Sequence, residues 1–157
     1  MKRYLKSFIP DFRPAKGPDA SFDLREFQDK EYRCPITDED TGVYIITATD
    51  GTKYVYPNGL MSPIIYIGMS DRLLSRIKDG HYTKGLKRLL RNPDWGIDDN
   101  KQLASRYQYM YYNGSHVDVF KCWGYQDAKY LESMIMNQFY QTYRAIPVGN
   151  GARSFCK

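Results

Sequence analysis

Two short β-type segments, followed at once by a helical segment, dominate the middle of this 157-residue chain. The first, at residues 42–47, reads GVYIIT, and the second, at residues 64–68, reads IIYIG. Val, Ile, Tyr and Thr favour a pleated, half-buried surface, and the flanking Gly and Pro mark strand ends. Between the segments lie an Asp-Gly and an Asn-Gly pair, which supply the positive φ angles of tight hairpin turns. The segments are therefore predicted to be antiparallel neighbours joined by an elaborated hairpin, with Tyr44 and Tyr66 within reach of each other.

A helix is predicted directly after the second strand. Ser70 is a residue type that caps helix N-termini, an apolar pattern at helical spacing follows it, and Gly80 is expected to end the helix. Arg72 and Arg76 are four residues apart, so they lie on one face of this helix.

The two tyrosine segments, together with residues that follow them, resemble the catalytic signature of the GIY-YIG nuclease superfamily. The tripeptides at 42–44 (GVY) and 66–68 (YIG) are similar to the two that name the family, with valine in the place of one isoleucine. Leu73 and Arg76 stand seven and ten residues after the second tyrosine, which is the family's spacing, and Glu132 follows downstream. Short strand fragments recur by chance, so the joint pattern is far more specific than either tripeptide alone.

The resemblance, which covers residues 41–151, implies a fold and an activity. The implied fold is an α/β (α+β) single domain with a small, mainly antiparallel three-stranded sheet flanked by helices. Residues 1–40 are read as an N-terminal arm with a short helix at 21–32, and residues 41–157 as the nuclease domain. The implied activity is metal-dependent hydrolysis of DNA phosphodiester bonds, first of all restriction-type cleavage of double-stranded DNA. A homing, repair or structure-specific nuclease of the same superfamily and a catalytically degenerate nucleic-acid-binding module remain as alternatives.

The resemblance also implies a role for each site residue. Glu132 would hold one divalent cation, Mg²⁺ or another such as Mn²⁺, because such an ion accepts one carboxylate plus waters and substrate oxygens. Arg76 would hold the scissile phosphate through its planar fork. Tyr44 would take a proton from the attacking water, and Tyr66 would orient that water or the phosphate. A free phenol titrates near pH ~10, so a tyrosine base needs nearby positive charge or metal-bound water.

Several positions depart from the family pattern. Many members carry a histidine or tyrosine four residues after the arginine, whereas this chain has Gly80 there and His81 one position later. His81 is either an auxiliary base or a residue that caps the helix end. Met69 replaces a lysine, and the gap between the tyrosines (66 − 44 = 22) resembles the elaborated hairpins of the restriction-enzyme branch. Asn150 belongs to a stretch that resembles the family's Pro-x-x-Asn element, which supports the loop of the glutamate, and it lies further beyond the glutamate than is usual.

The charge of the chain favours an acidic partner. The formal net charge is +5, and nucleic acid, here DNA, is the commonest partner of a basic protein. Residues 84–91 place leucines on one helical face and Lys and Arg on the other. Because this basic run continues from the helix that carries Arg76, phosphate contacts are favoured over a merely solvated face. The predicted nucleic-acid-binding residues are Arg72, Lys84, Lys87, Arg88 and Arg91.

Three further elements are predicted in the second half of the chain. Residues 99–112 are typical of a helix, residues 116–123 alternate as a third strand, and residues 126–143 form a long helix. Glu132 lies beside the apolar stripe of that last helix. The acidic triplet at 38–40 most simply forms a solvated loop, with a metal site as the less favoured alternative.

Several function classes are excluded by what the chain lacks. The N-terminal residues lead into no apolar signal region, and no apolar run approaches membrane-spanning length, so we expect an intracellular, cytoplasmic protein without a membrane partner. Cys34, Cys122 and Cys156 are scattered and form no C-x-x-C pair. With only two histidines there is no zinc constellation, and thiols are the expected state.

A homodimer is a hypothesis that follows from counting sites. One set of Tyr44, Arg76 and Glu132 cuts one strand at a time, so double-strand cleavage at a symmetric site needs two subunits related by a two-fold axis. Residues 1–32 and 53–61 are the candidate contacts with DNA or with a partner subunit.

Overall fold

A four-stranded antiparallel sheet forms the centre of the computed structural model, which describes residues 17–95 and 101–151 and, at 101–105, the backbone only. Its strands, in spatial order, are β1 (Ala20–Asp23), β6 (His116–Lys121), β2 (Gly42–Thr47) and β5 (Ile64–Ser70). A small hairpin of β3 (Tyr54–Val55) and β4 (Met61–Ser62) lies in the connection between β2 and β5. The antiparallel pairing of β2 with β5 and the elaborated hairpin are thus confirmed.

Helices cover both faces of this sheet, which confirms the α+β class. In chain order they are a 3-10 helix (Leu24–Gln28), α1 (Leu73–Ile77), a π-helix (Lys78–Leu86), α2 (Lys87–Arg91), α3 (Lys101–Asn113), α4 (Tyr125–Tyr143) and α5 (Val148–Gly151). Buried side chains of α1, the π-helix and α3 pack on one face, and those of α4 pack on the other. In the part of the chain that the structure describes, no helix has the length and apolarity needed to cross a membrane.

Strand β2 is the buried centre of the sheet. Its residues alternate between the two cores, with Tyr44 and Ile46 on the side of α1 and Val43 and Ile45 on the side of α4. Gly42 permits the close approach of β6, because a Cβ added there would lie 2.3 Å from the carbonyl oxygen of Phe120. The first glycine of the signature therefore has a packing role.

The sheet has four strands, and the expected three is wrong. The extra strand β1 occupies residues that were predicted to begin a helix at 21–32. Its backbone pairs with β6 from Ala20 opposite Val119 to Asp23 opposite His116, so a long-range ladder replaces local helical bonds. Only Leu24–Gln28 is helical, and it is 3-10. The first sixteen residues of the predicted arm lie outside the described residues.

The helix after β5 continues through Gly80, where the sequence pattern predicted its end. Gly80 does not take the positive φ of a helix-ending glycine. Helix α3 packs here instead: the hydroxyl of Tyr107 donates to the carbonyl oxygen of Gly80 at 3.1 Å. A Cβ on Gly85 would lie 2.2 Å from the Tyr107 ring. The two glycines thus provide a hydrogen-bond acceptor and the space in which α3 docks.

The acidic triplet forms a turn that caps α1. Arg72, the N-cap residue, makes no capping bond with its own side chain. Asp38 takes over this role, accepting from the backbone N–H of Ser75 at 2.7 Å and from its hydroxyl at 2.5 Å. These two hydrogen bonds, the hydroxyl bond first, lower the pKa of Asp38. Asp40 in turn lies 3.4 Å from the amine of Lys121.

Replacing Asp38 with Ala should lower the urea midpoint of unfolding at pH 7. The folded-state pKa of Asp38 is lowered, so its contribution is present above the ordinary value of 3.8 and is lost as pH falls through the folded value. The difference between wild type and Asp38→Ala should therefore shrink below that pH. Glu39→Ala, an exposed neighbour, is the control, and an unchanged deficit at low pH would contradict an ionised cap.

Candidate active site

The two signature tyrosines form a stacked pair on the sheet face that carries α1. Tyr44 of β2 and Tyr66 of β5 have ring centroids 5.9 Å apart and ring planes inclined by 28°. Tyr44 lies opposite Gly68 and Tyr66 opposite Ile46, so the rings are diagonal neighbours across adjacent strands. The expectation that the hairpin brings these side chains together is confirmed.

Gly68 provides the space that this pair needs. A Cβ added to Gly68 would lie 2.6 Å from the hydroxyl oxygen of Tyr44 and 2.7 Å from Cε1 of Tyr66. These distances are too short for any side chain, since close-packed atoms leave no room for an extra methyl group. The glycine that ends the second signature segment is thus what allows Tyr44 to lie across β5.

Arg76 of α1 contacts the hydroxyl groups of both tyrosines. Its Nη2 donates to the Tyr66 hydroxyl at 3.3 Å, and its charge lies close enough to Tyr44 to act on the pKa of that phenol. Burial raises the pKa of Tyr44, and Tyr66 adds to this, while the guanidinium of Arg76 opposes it. Conversely, proximity to Tyr44 holds the pKa of Arg76 above its ordinary value. At neutral pH the site therefore contains a neutral Tyr44 and a cationic Arg76.

His81 completes the site from the π-helix. Its Nε2 is 2.7 Å from the Tyr44 hydroxyl, and its ring centroid is 4.8 Å from that of Tyr66. The tautomer of the ring sets the direction of this bond, and Tyr44 donates to Nε2 when the ring proton is on Nδ1. His81 lies inside a continuous helix, so the interpretation that it caps a helix end is wrong.

The π-helix sets the phase that brings His81 into the site. Its backbone bonds join residues five apart, so a residue at plus five lies roughly above the first. Arg76 and His81, which are five apart, both reach Tyr44. In an uninterrupted α-helix, plus four would share that face, and that position is Gly80.

A shallow pocket of about 350 Å³ lies beside Arg76. Its other lining residues are Ser70, Asp71, Arg72, Ser75, Asp79, Gly80 and Lys84. Two of the predicted phosphate-binding residues, Arg72 and Lys84, therefore meet Arg76 at one opening. Tyr44 and His81 are 0% exposed and Tyr66 is 1% exposed. Arg76 is thus the residue that contacts both this pocket and the buried tyrosine pair.

The remaining predicted DNA-binding residues lie on α2, beyond the pocket. Arg88 and Arg91 are exposed, and Lys87 is half-buried. The guanidinium of Arg88 stacks 5.2 Å from the ring centroid of Trp95. The predicted DNA-binding residues therefore form two sets on one continuous helical segment: Arg72 and Lys84 at the pocket, and Lys87, Arg88 and Arg91 on α2.

Asn150 of α5 is bound to the backbone of the second tyrosine strand. Its Nδ2 donates to the carbonyl oxygen of Ile67, and its Oδ1 accepts from the Ile67 N–H, both at 2.9 Å. Strand β5 is at the edge of the sheet, so Asn150 supplies the hydrogen bonds that a further strand would supply. These bonds hold β5, which carries Tyr66, rather than a loop next to Glu132.

Glu132 is carried by α4, on the other side of the sheet from the tyrosines. It is half-buried at the edge of a stripe in which Leu131 and Ile135 pack against Val43 and Ile45. Its carboxylate is a hard oxygen donor, which fits Mg²⁺ or Mn²⁺. Among the described residues, no three His, Cys, Asp or Glu side chains come together as a metal cage. A bound ion would therefore take its other ligands from water and substrate.

Arg106 of α3 is a site residue that the sequence analysis missed. Its guanidinium carbon lies 4.8 Å from the ring centroid of Tyr66, and its Nε–H donates to the carbonyl oxygen of Gly149 at 3.3 Å. Helical spacing in α3 points to Tyr107 and Met110 as inward residues, and nothing distinguishes the arginine beside them. Only the tertiary arrangement shows its contact with the tyrosine pair.

Comparisons with protein-family models, with curated proteins and with solved structures found no match. The function must therefore be inferred from this chain's own residues: the stacked pair of Tyr44 and Tyr66, the two groups that contact it, Arg76 and His81, and the basic pocket beside them.

Replacing Gly68 with Ala should destabilise the protein and displace Tyr44. Overpacking of a well-packed site typically costs ~1–3 kcal/mol, and we expect the free energy of unfolding in urea to fall by that amount. The control is Gly151→Ala, because Gly151 does not have a positive φ and nothing lies within 4 Å of an added Cβ. Equal stabilities of the two variants would show that the Tyr44 hydroxyl can move at no cost.

Proposed function

We propose that this protein is a metal-dependent endonuclease of the GIY-YIG type that hydrolyses phosphodiester bonds in DNA. The observation that carries the proposal is the convergence of Tyr44, Tyr66, Arg76 and His81, from two strands and one helical segment, beside a pocket lined by three cations and two aspartates. Phosphodiester hydrolysis needs proton transfer from water and positive charge at the phosphoryl oxygens. Phenol, imidazole and guanidinium groups in contact suit both needs.

The π-helix supports the resemblance at the position where the sequence departs from it. Family members commonly place a histidine or tyrosine four residues after the arginine, which is one α-helical turn. This chain has its histidine five residues after Arg76, within a helix whose turn is one residue wider. His81 thus stands on the arginine's face, as a plus-four residue does in an α-helix.

In the proposed reaction, Tyr44 and His81 accept the proton of the attacking water together. Tyr44 is a neutral phenol, so it can take a proton only while it passes its own to His81 Nε2, 2.7 Å away. Imidazole is the final acceptor, because a neutral imidazole carries a basic nitrogen lone pair, whereas a phenol, which titrates near pH ~10, is already protonated at neutral pH. The base role assigned to Tyr44 is therefore shared with His81.

Arg76 would bind the scissile phosphate at the pocket, with Arg72 and Lys84 beside it. Tyr44 is closed to solvent, so the proposed reaction requires a movement that admits water, and Arg76, which lines the pocket and contacts Tyr66, is the side chain proposed to move. A divalent cation held by Glu132 would supply charge stabilisation at the phosphoryl and leaving oxygens when bound. Glu132 belongs to the opposite sheet face, so its carboxylate would have to approach the phosphate at the margin of the sheet.

A second candidate function is a nucleic-acid-binding module without catalysis. The burial of both tyrosine rings favours it, since rings that are only packed need no access to substrate. The basic groups on α1, the π-helix and α2 would serve this function equally well. The two functions differ in one outcome, the cleavage of DNA in the presence of Mg²⁺.

In its more specific form, the proposal is that an intracellular homodimer with two-fold symmetry makes restriction-type double-strand cuts. Of the two candidate contacts, residues 1–32 are described only from residue 17 onward, and the β3–β4 hairpin exposes Val55, Leu60 and Met61. Exposed apolar side chains at a hairpin tip suit a protein contact. Light scattering of the free protein and of its complex with uncleaved DNA tests the dimer. One subunit per DNA duplex, together with a plasmid product that is only nicked, would contradict it.

Incubation with supercoiled plasmid and Mg²⁺ tests the proposed function. We expect cleavage by the wild type, none by Glu132→Gln, and a rate ~10²–10⁴-fold lower for Tyr44→Phe, because general-base catalysis contributes about that much. Both variants should still bind DNA, since the basic surface is unchanged. Glu31→Gln, an exposed carboxylate in a turn, is the control. No cleavage by wild type with intact DNA binding would support the binding module, and full activity of Glu132→Gln would refute the metal role.

Removing the α2 cations should weaken DNA binding by a similar factor for every DNA sequence. For the triple variant Lys87→Ala, Arg88→Ala, Arg91→Ala, the log–log dependence of affinity on salt should flatten by about one unit per lost phosphate contact. Arg91→Ala alone is matched against Lys129→Ala, an exposed cation on α4. If both single changes have the same effect, α2 makes no specific contact and contributes only net charge.

A further inference from the structure

Arg106 joins the ring of Tyr66 to the C-terminal turn. Its guanidinium lies over the Tyr66 ring at 4.8 Å and over the Tyr107 ring at 5.7 Å. Its Nε–H donates to the carbonyl oxygen of Gly149 at 3.3 Å, so three elements meet at one side chain. An arginine in this position has little rotational freedom, because the aromatic rings contact the face of its planar guanidinium and the hydrogen bond fixes the edge of that group.

The same turn holds the backbone on both sides of Tyr66. Asn150 bonds both polar groups of Ile67, which follows Tyr66. Gly149 abuts Ile65, which precedes it, since a Cβ on Gly149 would lie 2.6 Å from the Ile65 carbonyl oxygen. Arg106 therefore holds the ring of Tyr66 and, through Gly149, the turn that holds its backbone.

The two arginines contact Tyr66 in different ways. Arg76 donates to its hydroxyl at 3.3 Å, whereas Arg106 lies over its ring. Arg76 must leave this hydroxyl at least in part when it binds a phosphate, and Arg106 does not line the phosphate pocket. The contact of Arg106 with the ring therefore remains when Arg76 turns away. The positive charge of Arg106 also acts on the nearby Tyr44, where it opposes the effect of burial on the pKa.

We propose that Arg106 is a positioning residue that keeps the Tyr66 ring in its stacked place against Tyr44 while Arg76 engages the scissile phosphate. The inference rests on the proposed nuclease function for its catalytic consequence, but the positioning itself is a property of the folded chain. Arg106 acts through Tyr66 and the α5 turn and touches no reacting atom. Its replacement should therefore lower kcat and leave the KM for DNA almost unchanged.

Arg25 offers a matched control for the variants of Arg106. It also docks on α3, with its guanidinium 5.7 Å from the ring centroid of Tyr111 and a hydrogen bond of 2.6 Å to the Tyr111 carbonyl oxygen. It thus makes the same two kinds of contact with α3, near the C-terminal end of that helix. Arg25→Met and Arg106→Met remove equivalent groups, and Arg106→Lys keeps the charge without the planar fork.

The test combines ¹⁹F NMR of 3-fluorotyrosine placed at position 66 with cleavage kinetics. We expect Arg106→Met to shift and broaden the fluorine signal, Arg106→Lys to do so less, and Arg25→Met to leave it unchanged. In plasmid cleavage, kcat should fall by about 10–10² in Arg106→Met, with KM within about twofold, because small displacements of a positioned group cost rates of this order. Arg106→Lys should recover part of the loss.

The outcomes separate this inference from the proposed function. A fluorine signal in Arg106→Met identical to that of the wild type overturns the positioning role, whatever the activity. An altered signal with kcat unchanged relative to Arg25→Met overturns its part in the reaction. If the wild type does not cleave DNA while the signal responds as expected, the nuclease proposal fails and the positioning of Tyr66 by Arg106 stands. If Arg106→Met does not fold, the Arg106→Lys signal and rate decide alone.

Discussion

The burial of the Tyr44 hydroxyl on the sheet is the constraint on which the rest of the site depends. A hydroxyl removed from water without partners is costly, so this one requires a donor and an acceptor within the protein. Gly68 gives it space, His81 hydrogen-bonds to it at 2.7 Å, and the positive charge of Arg76 lies nearby. Because both partners come from one helical segment, that segment has to present residues five apart to a single oxygen. The widened turn of the π-helix meets this geometric requirement.

A π-helix is less regular than an α-helix and needs support from outside, and α3 supplies that support. Tyr107 donates to the carbonyl oxygen of Gly80 and packs against Gly85, while its neighbour Arg106 reaches Tyr66 and Gly149. One turn of α3 is therefore in contact with both the histidine-bearing and the tyrosine-bearing parts of the site. Wide helical turns occur often at functional sites, which is consistent with local irregularity being retained for a chemical purpose.

The sequence could predict those elements whose pattern is local. β2, β5, β6 and the long helix α4 follow from periodicity and turn residues, and the meeting of Tyr44 with Tyr66 follows from the hairpin. β1 was missed because its strand conformation comes from pairing with β6, nearly a hundred residues away in the chain. The π-helix was missed because a lone glycine such as Gly80 is typical of a helix end. Here α3 packs against Gly80, and the helix continues through it. The contact of Arg106 with Tyr66 has no periodic signal at all.

The observed burial and the proposed catalysis place opposite demands on this site. Enclosure strengthens the bonds among Tyr44, Arg76 and His81, since electrostatic interactions grow as water is excluded, but it also keeps the attacking water out. Arg76 lies between the buried pair and the pocket, and its bond to Tyr66 is the longer one, at 3.3 Å, compared with 2.7 Å between Tyr44 and His81. A phosphate is a stronger partner for a guanidinium than a neutral phenol is. Under the proposed function, a phosphate in the pocket would draw Arg76 away from Tyr66, and the same movement would admit water to Tyr44.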